Sequence, residues 1–211
     1  MIPAMGSIAL PQAAALIAAL SLAILTPGPA IIATVQTAFA HGRQRALPYG
    51  LGLATGASLW CLMALLGLAL VFQLNPMLFS ALKVFGGLYL LWFARGLWMA
   101  STAPLPKAAE GPEKGALRGF AGGIALNLSN PKPALFYATL ILSVFPQPLS
   151  PTGQAGLYAL CLGTELFWYA LVAVLMSTAP MRSRYFAAKF WIDRACAVAM
   201  GLLGLMLIIQ H

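Results

Sequence analysis

Six apolar stretches follow one another along the chain with little between them, at about residues 8–39, 46–72, 78–98, 117–145, 153–177 and 190–209. Each can cross a bilayer, because about 20 apolar residues in a helix span roughly 30 Å of hydrocarbon. A water-soluble fold needs polar cover for its surface. Here 61% of the 211 residues are hydrophobic and 8% charged, against about a quarter charged in ordinary soluble domains. The fold class expected is therefore an all-α membrane protein with about six transmembrane helices and short loops, and no attached soluble domain. Residues 9–25 have the length of a signal-peptide core, but no Lys or Arg precedes them and no convincing cleavage site follows, so they read as part of the first span.

The net charge of +8 does not point to nucleic acid, because the basic residues form no single stripe. Arg43 and Arg45 follow span 1. Arg95, Lys107, Lys114 and Arg118 surround the connection after span 3, and Arg182, Arg184, Lys189 and Arg194 follow span 5. The connections after spans 2 and 4 carry none, nor do the termini. Positive loops stay cytoplasmic, so both termini are expected to face away from the cytoplasm. Three alternate basic loops also agree with a count of six, since one missed span spoils the alternation.

The chain divides into two halves of three spans, residues 1–100 and 117–211, joined by a Pro-rich, charged cytoplasmic linker over residues 101–116. Each first span is long and carries a proline pair, Pro27-Gly28-Pro29 in span 1 and Pro131-Lys132-Pro133 in span 4. Each second span sets a glycine beside a threonine, at Thr55-Gly56 and Gly163-Thr164. Three spans is an odd number, so the second half must enter the membrane the other way up. The result is an inverted repeat, an architecture common among secondary transporters.

Proline has no amide hydrogen and clashes with the preceding helical turn. Two prolines around one residue, as in Thr26-Pro27-Gly28-Pro29 and Asn130-Pro131-Lys132-Pro133, should end one helix and start another. Unsatisfied backbone is costly in hydrocarbon, so such breaks must face protein or a water-filled cavity. Each restarted helix is expected to expose free amides and the positive end of its dipole, which suits a carboxylate.

Two ionisable residues lie near mid-membrane. Glu165 is about twelve residues into span 5 and Lys132 about fourteen into span 4, so each is roughly 20 Å from the face where its span starts, at 1.5 Å per residue. A buried carboxylate needs a partner or a proton. Either a Lys132–Glu165 pair lines a pathway, with Glu165 loading and releasing a proton as its surroundings change, or the pair statically joins spans 4 and 5. Lys83, near the outer end of span 3, either snorkels or faces the pathway. Asn127 and Asn130 flank the second break and can satisfy freed backbone or touch a substrate. Asp193 and Arg194 open span 6, where capping and topology account for them. Gly52-xxx-Gly56 and Gly119-xxx-Gly123 permit close helix approach. His41 reads as interfacial.

Catalytic chemistry is not expected. Neither histidine belongs to a HExxH sequence, and no phosphate-binding glycine loop or triad is visible. Cys61, Cys161 and Cys196 sit singly in apolar runs and read as packing residues, so no metal or other cofactor is expected. A thiol-disulfide electron carrier needs a cysteine near each broken helix, and spans 1 and 4 have none. A non-transporting scaffold needs neither the matched breaks nor Glu165.

Several of these motifs together resemble the LysE/RhtB family of amino-acid exporters. The resemblance is carried by Leu25-Thr26-Pro27-Gly28-Pro29, by His41-Gly42 followed by Gly50-x-Gly52-xxx-Gly56, and by Leu82-Lys83-xx-Gly86-Gly87-x-Tyr89-Leu90. The segment from Phe120 through Asn127-Leu128-Ser129-Asn130-Pro131-Lys132 to Phe136, and the acidic Glu165, complete it. The resemblance runs nearly end to end. It implies proton-driven export of amino acids or close derivatives across a bacterial inner membrane. The substrate partners would be an amino acid and protons, near Thr26, Pro27, Gly28, Pro29, Gly56, Asn127, Asn130, Pro131, Lys132 and Glu165. The sequence leaves the amino acid and any homo-oligomer open.

Overall fold

The computed structural model describes residues 8–74, 76–103, 116–145 and 147–209. They form eight helices: α1 (Leu10–Leu25), α2 (Pro29–His41), α3 (Arg43–Leu74), α4 (Pro76–Ala100), α5 (Ala116–Leu128), α6 (Pro131–Val144), α7 (Pro151–Leu175) and α8 (Ala179–Ile209). The chain is an all-α membrane protein. Three helices are long and apolar enough to cross a membrane, Arg43–Leu68 of α3, α7 and α8. The α1–α2 pair, bent by 60°, makes a fourth when the two helices are counted as one span. The six expected spans map onto α1–α2, α3, α4, α5–α6, α7 and α8. Of the two that fall outside the count, α5–α6 consists of pieces of 13 and 14 residues, and α4 carries Lys83 and Arg95 along its length.

Helix starts follow local chemistry. Pro29, Pro131 and Pro151 each occupy the first helical position, where the missing amide costs nothing and the fixed φ suits the helix. The Ser150 hydroxyl accepts from the Gly153 amide at 3.0 Å, and the Asn130 side-chain oxygen accepts from the Lys132 amide at 3.0 Å.

The central helix is α3, which packs on α2, α5, α6 and α7, while α4 lies along α8 and touches α6. Two glycine contacts set these distances. A Cβ on Gly52 would stand 2.0 Å from the Phe120 carbonyl oxygen, and one on Gly123 would stand 2.2 Å from that of Tyr49. The backbones of α3 and α5 therefore touch, which any side chain would prevent. Gly87 and Gly204 do the same for α4 and α8, each 2.7–2.8 Å from the other's carbonyl oxygen when given a Cβ.

The charged connections differ from expectation. Arg43 and Arg45 lie in the first turn of α3. Arg182, Arg184, Lys189 and Arg194 all lie on α8, which runs unbroken through them. A helix satisfies its own backbone, and long basic side chains lay their stems on apolar surface, so charge density alone does not end a helix. Arg194 illustrates this, stacked 3.5 Å above the Trp98 ring with its Nε donating to Ser101 Oγ at 2.9 Å. Asp193 is correspondingly not a capping residue. It lies in mid-helix, 1% exposed, and its Oδ2 is 2.7 Å from the Lys189 ammonium. Most of the expected linker, residues 104–115, lies outside the described residues.

Candidate functional site: a cavity between two broken spans

The first break follows Leu25. Thr26 turns its amide and its hydroxyl back onto the Leu22 carbonyl, at 3.2 and 2.9 Å. The Leu25 carbonyl, freed because Pro29 four residues on has no amide hydrogen, accepts the Tyr185 hydroxyl at 2.8 Å. Extended backbone at Gly28 then leads into α2, whose first complete backbone bond runs from Ile32 to the Gly28 carbonyl at 2.9 Å. The Ala30 and Ile31 amides precede that bond and have no carbonyl four residues back.

The second break, at Ser129 and Asn130, is built differently. The Asn127 carbonyl accepts the Asn130 amide at 3.1 Å and the Trp60 indole at 3.3 Å. Two of the first three residues of α6 are prolines, and the amide between them is already taken by Asn130. Those positions offer no free amide, contrary to the expectation of two equivalent sites. The positive group here is the Lys132 ammonium, 4.5 Å from the centre of the Phe93 ring and 3.8 Å from where a Gly28 Cβ would stand. The lysine of one break thus reaches the backbone of the other.

Between the breaks lies a cavity of about 80 Å³, room for several waters. Thr26, Gly28, Pro29, Asn127, Asn130, Lys132 and Glu165 line it, with Ala30, Pro133, Tyr137 and Tyr169 and an apolar side that includes Leu20, Ile24 and Ala57. The structure thus gathers seven of the sequence-derived candidates. Pro27 shapes the break without lining the space. Gly56 stands behind the wall, where its Cβ would meet that of Asn127 at 2.8 Å and so lets Asn127 approach. Lys83 is 8% exposed and does not line the cavity.

The acceptors in the wall are unusual. Glu165 is 4% exposed. Its Oε1 takes the Tyr137 hydroxyl at 2.6 Å, while Oε2 has no partner. Asn127 is 3% exposed; its amide donates to the Leu53 carbonyl at 3.1 Å and its Oδ1 has no partner. Buried polar atoms are normally satisfied, so two orphan acceptors carried by residues that line one cavity stand out. Lys132 and Glu165 share the cavity but form no ion pair; Tyr137 bonds one carboxylate oxygen and the other is left unpartnered. Sequence reading passed over Tyr137 and Tyr169, although a signal existed. They follow Pro133 and Glu165 by four residues, and so share their helix faces.

Fold and site together define a polytopic helical membrane protein with a chamber, largely apolar but carrying a few charged and polar groups, where α1–α2 and α5–α6 meet. The sequence profile described as LysE type translocator matches residues 21–211. The chain is similar to the threonine efflux protein of Escherichia coli (strain K12), 32% identical over 90% of this chain and 94% of that one. It is also similar to the leucine efflux protein of Enterobacter sp. (strain 638), 26% identical over 88% and 86%. The homoserine/homoserine lactone efflux protein of Salmonella typhimurium is 34% identical over 62% of this chain and 61% of its own length. No solved structure matches. The chain belongs to the LysE family of translocators, as its motifs implied.

Proposed function

We propose that this protein exports amino acids across the bacterial inner membrane in exchange for protons, binding its substrate in the cavity between the two breaks. The observation that carries the reading is the chemical polarity of the cavity. One side offers the Lys132 ammonium and the opening amides of α2 beside it, and two other lining residues carry unpartnered oxygens just behind the surface, Glu165 Oε2 and Asn127 Oδ1. An amino-acid zwitterion has the complementary groups, a carboxylate for the first and an ammonium for the second. Relatives that export threonine, leucine and homoserine support the substrate class.

Proton exchange is assigned to Glu165. A carboxyl group this deep is costly as a bare anion, so it is favoured when it holds either a proton or the substrate's ammonium. Binding one displaces the other, which is the requirement for antiport. The pairing of α3 with α7 and of α4 with α8 supports the inverted repeat, since a two-fold between the halves brings each of these helices against its own counterpart. In this orientation the basic ends of α3 and α8 face the cytoplasm.

Counterflow in proteoliposomes tests the reading. Purified protein preloaded in turn with L-threonine, L-homoserine, L-leucine and L-lysine should accumulate the labelled form of at least one, and a pH gradient should stimulate its net movement. Uptake of none of a full amino-acid panel would sink the proposal.

A further inference from the structure

The described surroundings of Lys132 contain a second carboxylate, and it is not Glu165. Helices α4 and α8 run antiparallel, with Gly87 against Gly204 and the Ala100 carbonyl receiving the Lys189 ammonium. In that register Asp193 lies level with about Leu97, one helical turn from Phe93, the ring over which the Lys132 ammonium sits. Asp193 and Cys196 are both close enough to Lys132 to act on its charge. Asp193 is 1% exposed, and while Oδ2 holds Lys189, Oδ1 has no partner. Among the described residues the Lys132 ammonium has no hydrogen-bond partner, and it rests on the Phe93 ring. An unsatisfied buried acceptor and an unsatisfied ammonium thus lie about a turn apart, on different helices.

We propose that Asp193 is a positioning residue for transport: Oδ1 pairs with Lys132 when the cavity is empty, competes with the substrate carboxylate for it, and so drives substrate release. This rests on the reading of Lys132 as the carboxylate site. The physical need is plain. A substrate leaving Lys132 leaves its ammonium without a carboxylate partner, and a second acceptor within reach removes that penalty. Lys189 holds Asp193 in place while substrate occupies the cavity. Its second bond, to the Ala100 carbonyl, ties the pair to the cytoplasmic end of α4.

Competition has a signed consequence. When the binding-competent fraction of a site is f, the apparent Kd is the intrinsic Kd divided by f. If Asp193 engages Lys132 for about two-thirds of the time, its removal tightens binding about threefold. The test measures Kd for L-threonine, L-homoserine and L-leucine by calorimetry in detergent, and KM and Vmax by counterflow. The variants are K189M, K189M/D193N and K132Q, each first shown to be monodisperse. The double variant removes the whole Lys189–Asp193 pair, so neither of those two charges is left without the other, as D193N alone would leave Lys189. It should bind about threefold more tightly and turn over more slowly. K189M releases Asp193 to Lys132 and should bind more weakly. An unchanged or weaker Kd in the double variant, with K132Q binding lost, overturns this proposal and spares the site. K132Q binding all three amino acids as wild type does, or wild type binding no amino acid, overturns the site and this proposal with it.

Discussion

Replacing Gly52 by alanine adds one methyl group at the tightest helix contact. That methyl would stand 2.0 Å from the Phe120 carbonyl oxygen and 2.8 Å from its carbon, where ordinary contact begins near 3.4 Å. Backbone cannot rotate away as a side chain can, so α3 and α5 must part locally by about 1.4 Å. Overpacking of this kind costs about 1–3 kcal/mol. The same movement stretches the bond from the Asn127 amide to the Leu53 carbonyl, now 3.1 Å, beyond hydrogen-bonding range, which removes about 0.5–1.5 kcal/mol more. The expected loss is about 2–4 kcal/mol in all. Asn127 also moves away from the cavity, so transport should fall along with stability. Reversible unfolding by SDS titration in mixed micelles measures the first effect and counterflow the second. Gly96→Ala is the control: nothing lies within 4 Å of its Cβ, and alanine is the better helix former by about 0.5–1 kcal/mol, so it should be neutral or slightly stabilising. A Gly52→Ala protein as stable as Gly96→Ala would refute the claim that backbone contact joins these helices.

Three further outcomes follow from the cavity wall. Glu165→Gln should keep the fold, because its amide oxygen still accepts from Tyr137, and should keep exchange without a gradient while losing stimulation by an imposed pH gradient; stimulation that survives removes Glu165 from coupling. Tyr137→Phe takes away the one donor to the Glu165 carboxyl among the described residues and should cost about 1–3 kcal/mol in SDS unfolding, but clearly less in a Glu165→Leu background. Asn130→Ala removes the cap of α6 and should cost about 1 kcal/mol by the same measurement, whereas Asn130→Ser should cost much less.

Much of this arrangement is legible in the sequence because a bilayer leaves few options. Long apolar runs must be helices, and paired prolines inside them must interrupt the helix, so α1–α2 and α5–α6 could be read from spacing alone. What spacing does not carry is which atoms a break leaves unsatisfied. The two proline motifs look equivalent on paper. In three dimensions Asn130 consumes the one early amide of α6, and Lys132 reaches over to Gly28, so one break supplies amides and the other an ammonium. The Lys132–Glu165 pair was expected because both residues lie at similar depth. Depth says nothing about azimuth, and the Tyr137 hydroxyl, on the same helix face as Pro133, reaches the carboxyl instead. Charge clusters misled in another way. Lys189, Asp193 and Arg194 resemble a loop and a helix start, whereas α8 runs through them and buries two of the three. Their partners, the Ala100 carbonyl and Ser101, are some ninety residues away in the chain, beyond the reach of any local pattern.

The central claim is that substrate occupies the cavity where the breaks meet, and protection of a thiol placed there tests it most directly. Ala30, in the first turn of α2, lines the cavity and can be replaced by cysteine in a protein whose Cys61, Cys161 and Cys196 are changed to alanine. Modification by a small charged thiosulfonate is then timed with and without a saturating amino acid that counterflow has shown to be transported. The account predicts that the amino acid slows modification several-fold, that Lys132→Gln abolishes this protection, and that a cysteine at Ser177, at the far end of α7, is indifferent to it. A protein that transports the amino acid yet leaves Ala30→Cys equally reactive in its presence would contradict the account.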